Sequence, residues 1–69
     1  MADLTKNTLI KLPAVKQRTS LSTSEIYRRI EAGTFPKQIK LGAKAVAWLE
    51  HEISAWIDER IAESAEGVK

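Results

Sequence analysis

The sequence predicts a mainly helical domain that carries a small β-hairpin, and three observations lead there. Near the C-terminus, Leu49, Ile53, Trp56, Ile57 and Ile61 recur at helical spacing with acidic residues between them. Ahead of that stripe, "QIKLGAKAVAW" changes to a strand-like texture on both sides of a glycine. Before the hairpin, two short helical segments are separated only by "TSLS". A chain of 69 residues allows one modest core, so each short element must find its stability by packing on the others.

Each element has a local cause. Residues 1–7 are polar and lack periodicity, and are expected to form a flexible arm. "TLIKL" has the composition of a short strand. Pro13 then suits the first position of a helix, where its missing N–H removes no intrahelical bond, and Ala14 and Val15 face inward. Ser22 and Glu25 form an S-x-x-E capping box that starts the second helix, over about residues 23–32, and Gly33 ends it as a left-handed cap. Pro36 marks the passage to a hairpin over about 38–48, with Ile39 and Leu41 on one arm, Val46 and Trp48 on the other, and Gly42 at the tip. The last helix is expected from Leu49 to about Glu63, followed by a frayed tail at 64–69. The folded domain is thus placed at residues 8–63.

Composition removes several function classes. With no cysteine and one histidine, His51, the chain offers neither a disulfide framework nor the ligands of a zinc site. No apolar run has the length of a membrane span, and "MADLTKNT" lacks the charged-then-apolar order of a secretion signal, so a cytoplasmic protein is expected. The net charge of +2 conceals an uneven distribution. Up to Trp48, Lys6, Lys11, Lys16, Arg18, Arg28, Arg29, Lys37, Lys40 and Lys44 oppose Asp3, Glu25 and Glu31, leaving +6. From Leu49 onward, Glu50, Glu52, Asp58, Glu59, Glu63 and Glu66 oppose Arg60 and Lys69, leaving −4. A basic part of this kind suits a polyanion, and the acidic remainder orients its approach.

The second helix is where that polyanion would be read. With Thr23 at zero and about 100° per residue, Ile26 and Ile30 fall at about 300° and 340° and define the buried side. Thr23, Ser24, Tyr27 and Arg28 are then outward, and Arg29 lies on the flank. Hydroxyl and guanidinium groups bind phosphates, and an arginine also matches guanine N7 and O6 in a major groove. A short helix, a tight turn and this helix follow the order of a helix-turn-helix, whose second helix enters the major groove. Lys37, Lys40 and Lys44 along "PKQIKLGAK" add a basic ribbon in the position of a wing. The fold class is therefore a winged helix-turn-helix, and the expected partner is double-stranded DNA.

The segment "LSTSEIYRRIEAGTFPKQIKLGAKAVAWLEHEISAWI" resembles the AlpA family of small prophage regulators, which is related to phage excisionases and more distantly to the DNA-binding domain of MerR-type regulators. The resemblance covers about residues 8 to 63. It implies a regulator acting near prophage genes, either an activator of integrase transcription or a recombination directionality factor. It also implies that Ser24, Tyr27 and Arg28 belong to the recognition helix, that Lys40 and Lys44 belong to the wing, and that Leu21, Ile26, Ile30, Phe35, Trp48, Ile53 and Trp56 form the core. Two positions depart from the family pattern. Ser20 stands where relatives usually carry glycine; a left-handed backbone there would strain it by about 1 kcal/mol, unless the turn has shifted. Lys44 stands where arginine is frequent, keeping the charge without the bidentate fork.

Other residues have simpler explanations. Trp48 and Trp56 share spacing with Val46, Ile53 and Ile57 and are expected in the core rather than stacked on bases. His51 has no serine or cysteine nucleophile to act with, and the acids of the last helix form the solvated face that an amphipathic helix needs. No enzyme and no cofactor are expected. The rival reading is a protein-interaction module that uses the acidic C-terminal helix, with integrase or RNA polymerase as candidate partners. Without a heptad extension the chain is expected to be a monomer, assembling cooperatively on DNA as the excisionase resemblance implies.

Overall fold

The computed structural model describes residues 8–67, and the expected arm at 1–7 lies outside the described residues. In chain order the elements are β1 (Leu9–Ile10), α1 (Leu12–Thr19), α2 (Thr23–Ala32), β2 (Ile39–Lys40), β3 (Val46–Leu49) and α3 (Glu50–Gly67). α1 begins at Leu12, one residue before the expected start at Pro13, and the proline is its second residue, still within the first turn where its missing N–H removes no intrahelical bond. Ser22 caps α2, its hydroxyl accepting the Glu25 N–H at 3.1 Å. Gly33 closes α2 with φ 80°, its N–H donating to the carbonyls of Arg29 and Ile30.

The turn between α1 and α2 is held by three short bonds around one strained residue. Ser20 has φ 64° and ψ 20°, and it is the one non-glycine residue with positive φ among the described residues. Its N–H donates to the Lys16 carbonyl at 2.7 Å. Thr19 Oγ1 donates to the Val15 carbonyl at 2.8 Å and accepts the Leu21 N–H at 3.3 Å. The left-handed conformation is therefore retained although glycine is absent, and the turn has not shifted.

The sheet has the order β1-β3-β2, antiparallel throughout. Leu9 faces Leu49 and Ile10 faces Trp48, while Ile39 faces Ala47 and Lys40 faces Val46. The Leu41 N–H donates to the Ala45 carbonyl at 2.7 Å and closes the loop that contains Gly42. β3 runs directly into α3, where the Glu50 N–H donates to the Thr8 carbonyl at 2.8 Å. Arg18 ties α1 to the same helix, through Glu50 Oε2 at 3.3 Å and Ser54 Oγ at 2.9 Å.

The core takes one buried side chain from each layer: Val15 from α1, Ile26 from α2, Phe35 from the following loop, Trp48 from β3 and Ile53 from α3. Leu21, Ile30 and Trp56, expected inside, pack against this cluster while only partly buried. Trp56 stays at the rim, where its indole N–H donates to the Thr34 carbonyl at 2.8 Å and the guanidinium groups of Arg29 and Arg60 both approach its ring.

Both ends of α3 and the exposure of three apolar side chains differ from the sequence-based expectation. Leu49 ends β3 instead of starting the helix, because it pairs with Leu9. The helix runs past Glu63 through 64–67 to Gly67, where a frayed tail was expected; Ala62 and Ala65 favour helix, and no breaker intervenes before the glycine. Positions 68 and 69 lie outside the described residues. Finally, Ile61, Leu41 and Ile39 are 61%, 49% and 36% exposed. The hairpin register turns Ile39 toward the face of Ala47, away from Val46 and Trp48, and Ile61 lies beyond the reach of the core.

Relief of the strain at Ser20 is directly measurable. Ser20→Gly is expected to stabilise the domain by about 1 kcal/mol and raise Tm by roughly 4–8 °C. A Tm that fell would show that the serine is not strained.

Candidate nucleic-acid interface

The rotation of α2 about its axis is set by Ile26, which is fully buried, and by half-buried Ile30. Ser24, Tyr27 and Arg28 consequently face solvent, while Thr23 is half-buried at the first turn. Tyr27 is anchored as well as exposed. Its ring meets Trp48 edge-on with centroids 6.5 Å apart, and 38% of the residue remains accessible. The polar surface of α2 is thus mounted directly on the core.

The wing residues approach the same side by a different route. Cross-strand partners share a sheet face, so Lys40 lies on the face of Val46 and Trp48, the face that meets Tyr27. Lys44 is exposed in the loop between β2 and β3, and Lys37 is exposed in the loop before β2. Tyr27 and Lys37 line one shallow depression with Ile30, Glu31, Gly33 and Gln38, bringing the helix and the base of the wing together. Ile39 points to the other sheet face, where it lines a groove of about 1040 Å³ with Leu49, Trp56 and Arg60.

Arg29 is placed differently from its neighbour. Its Nε donates to Glu25 Oε2 at 3.1 Å, and its guanidinium carbon lies 5.8 Å from the centre of the Trp56 ring. It therefore lines the Trp56 groove, apart from the surface of Ser24, Tyr27 and Arg28. Arg28 is much more open, with 73% of its side chain accessible, and its Nη2 donates to Glu25 Oε1.

Glu25 thus does more than begin the helix. The capping-box reading would turn its carboxylate back toward the helix start, but both oxygens are engaged by Arg28 and Arg29. The hydrogen bond from Arg28, with the charges of both arginines, holds its pKa below the ordinary value of 4.5 against the opposing effect of desolvation. The spacings i, i+3 and i, i+4 carried this signal in the sequence. The approach of Arg29 and Arg60 to Trp56 was half legible: Arg60 is four residues along the same helix, whereas Arg29 arrives through tertiary packing.

A three-helix domain with a three-stranded antiparallel sheet, in which a capped second helix presents polar side chains beside a basic hairpin, is a small winged helix-turn-helix. The sequence model of the family described as "Prophage CP4-57 regulatory protein (AlpA)" matches residues 8–61, and the chain belongs to this AlpA family. It is 44% identical over 62 residues to a protein of Enterobacteria phage P4 named "Uncharacterized protein ORF88", a match spanning 90% of this chain and 70% of that one. It is also 38% identical over 58 residues to the "DNA-binding transcriptional activator AlpA" of Escherichia coli (strain K12), across 75% of this chain and 83% of the relative. Among the described residues, no helix is long and apolar enough to cross a membrane.

The ion pairs at Glu25 predict a specific titration. A carboxylate with a depressed folded pKa stabilises the domain above its unfolded pKa, and that contribution is lost as pH falls through the folded value. Titration of the Glu25 carboxyl by NMR should therefore give a midpoint below 4.5 in the wild type. In Arg28→Ala the midpoint should move upward. An unchanged midpoint in the variant would show that Arg28 does not hold the carboxylate.

Proposed function

We propose that this chain is a sequence-specific double-stranded DNA-binding regulator of prophage genes, with α2 in the major groove and the β2–β3 hairpin as the wing. The observation that carries the reading is the exposure of Ser24, Tyr27 and Arg28 on a helix fixed by buried Ile26 and by the Tyr27–Trp48 contact. Lys40 on the adjoining sheet face and Lys44 in the hairpin loop supply charge for the phosphate backbone. Thr23 and Lys37 flank this surface, and Arg29 supports it from the Trp56 side. Similarity to the Escherichia coli relative named a DNA-binding transcriptional activator supports the same assignment. The regulator acts in the cytoplasm as an activator of an integrase gene or as a recombination directionality factor, with no catalytic step and no cofactor.

A second surface has a separate role. α3 carries six acids against Arg60 and exposes Ile61, the composition of a contact for a protein partner such as integrase or RNA polymerase. This reading complements DNA binding, with the chain a monomer in solution that assembles cooperatively on its sites.

Two sets of variants separate base reading from backbone attraction. Arg28→Ala should weaken cognate binding by about 1–3 kcal/mol while keeping the folded spectrum. Lys40→Ala combined with Lys44→Ala should weaken all duplexes alike and reduce the slope of log K against log salt by about 0.9 for each phosphate no longer neutralised. Cognate affinity unchanged in the first, or an unchanged slope in the second, would remove the corresponding element from the interface.

A further inference from the structure

Glu25 sits on the first turn of the helix assigned above to the major groove, where a negative charge opposes approach to any phosphate. Its two oxygens nevertheless hold two cations of that helix, Oε1 with Arg28 and Oε2 with Arg29. The two arginines are not equivalent. Arg29 is restrained a second time by the ring of Trp56, while for Arg28, 73% accessible, Glu25 is the partner the geometry shows. The reading surface therefore carries its own counter-ion at its most exposed cation.

We propose that Glu25 is a specificity-determining residue, an internal carboxylate that holds Arg28 for base edges and withholds it from backbone phosphates. The inference rests on the duplex-DNA reading given above. A phosphate offers Arg28 little that Glu25 does not already supply, and taking it brings two anions together. A guanine edge is uncharged and offers O6 and N7 side by side. Because a guanidinium has five N–H donors in a planar fork, Arg28 can keep its Nη2 bond to Glu25 and still direct other donors to the base. Glu25 thereby lowers affinity for arbitrary DNA more than affinity for the cognate site.

The test compares two duplexes across a salt series: a site selected by the wild-type chain from a random-sequence pool, and a scrambled duplex of the same composition. Glu25→Gln removes the charge while keeping the backbone N–H that Ser22 caps. It should raise affinity for the scrambled duplex by roughly tenfold at about 0.1 M salt and steepen its salt slope by about 0.9, as one further phosphate contact requires. Affinity for the selected site should rise less or fall, so the ratio between the two shrinks. Glu25→Asp should preserve the wild-type ratio, and Glu25→Gln should bring a much smaller gain for the scrambled duplex when Arg28→Ala is also present. Thermal melts accompany each variant, and Glu25→Ala provides the same comparison if Glu25→Gln does not fold. An unchanged ratio, or a gain that is undiminished without Arg28, overturns the inference alone. A wild-type chain that selects no duplex overturns the DNA-binding reading as well.

Discussion

Trp48 lies in the central strand of a three-stranded sheet, wholly removed from water, with its indole N–H donating to the Pro36 carbonyl at 3.1 Å. Burial of such a ring removes on the order of 200 Å² from water, an upper estimate of about 5 kcal/mol and a large fraction of the stability of a domain this small. The buried polar atom has its partner, so the gain is not offset by an unsatisfied donor. The same ring sets the geometry of its surroundings. It packs with Val15, Ile26, Phe35 and Ile53, meets Tyr27 edge-on, and lies two residues after Val46, the strand position that pairs with Lys40. Helix, wing and supporting helix are thus registered on one side chain.

Around that core, some cations are tied into the structure while others stay open to solvent. Arg18 joins α1 to α3 through Glu50 and Ser54, and Arg60 is held by Glu63 at 2.8 Å while it covers Trp56. Exposed pairs of this kind contribute about 0–1 kcal/mol each, so their main consequence is placement. Ser24, Tyr27, Arg28, Lys40 and Lys44 remain outward. α3 carries the acids Glu50, Glu52, Asp58, Glu59 and Glu63, so charge is shared unevenly between it and the rest of the chain.

Much of this was readable because the relevant signals are local. Ser22 and Gly33 bound α2 through cap chemistry, and the positions of Ile26 and Ile30 determine which side chains face outward. Ser20 was identifiable as a strained position only through the family resemblance, since a serine carries no intrinsic mark of left-handed backbone. Tertiary consequences were less legible. The hairpin register that exposes Ile39, the pairing of Leu49 that delays α3, and the placement of Arg29 against Trp56 depend on elements distant in sequence. Glu25 is the instructive intermediate case: its spacing to Arg28 and Arg29 was visible, but the capping motif offered a competing use for the same carboxylate.

Which surface meets the duplex decides between a reading helix and any other use of this fold. Backbone amide and side-chain NMR shifts, followed as a selected duplex is added to the isotopically labelled chain, report this surface without altering any residue. With α2 in the groove and the hairpin on the backbone, the largest changes fall on Ser24, Tyr27, Arg28, Lys40 and Lys44, and Asp58, Glu59 and Ile61 of α3 do not move. Changes concentrated on α3 or around Trp56, with α2 silent, would contradict that placement.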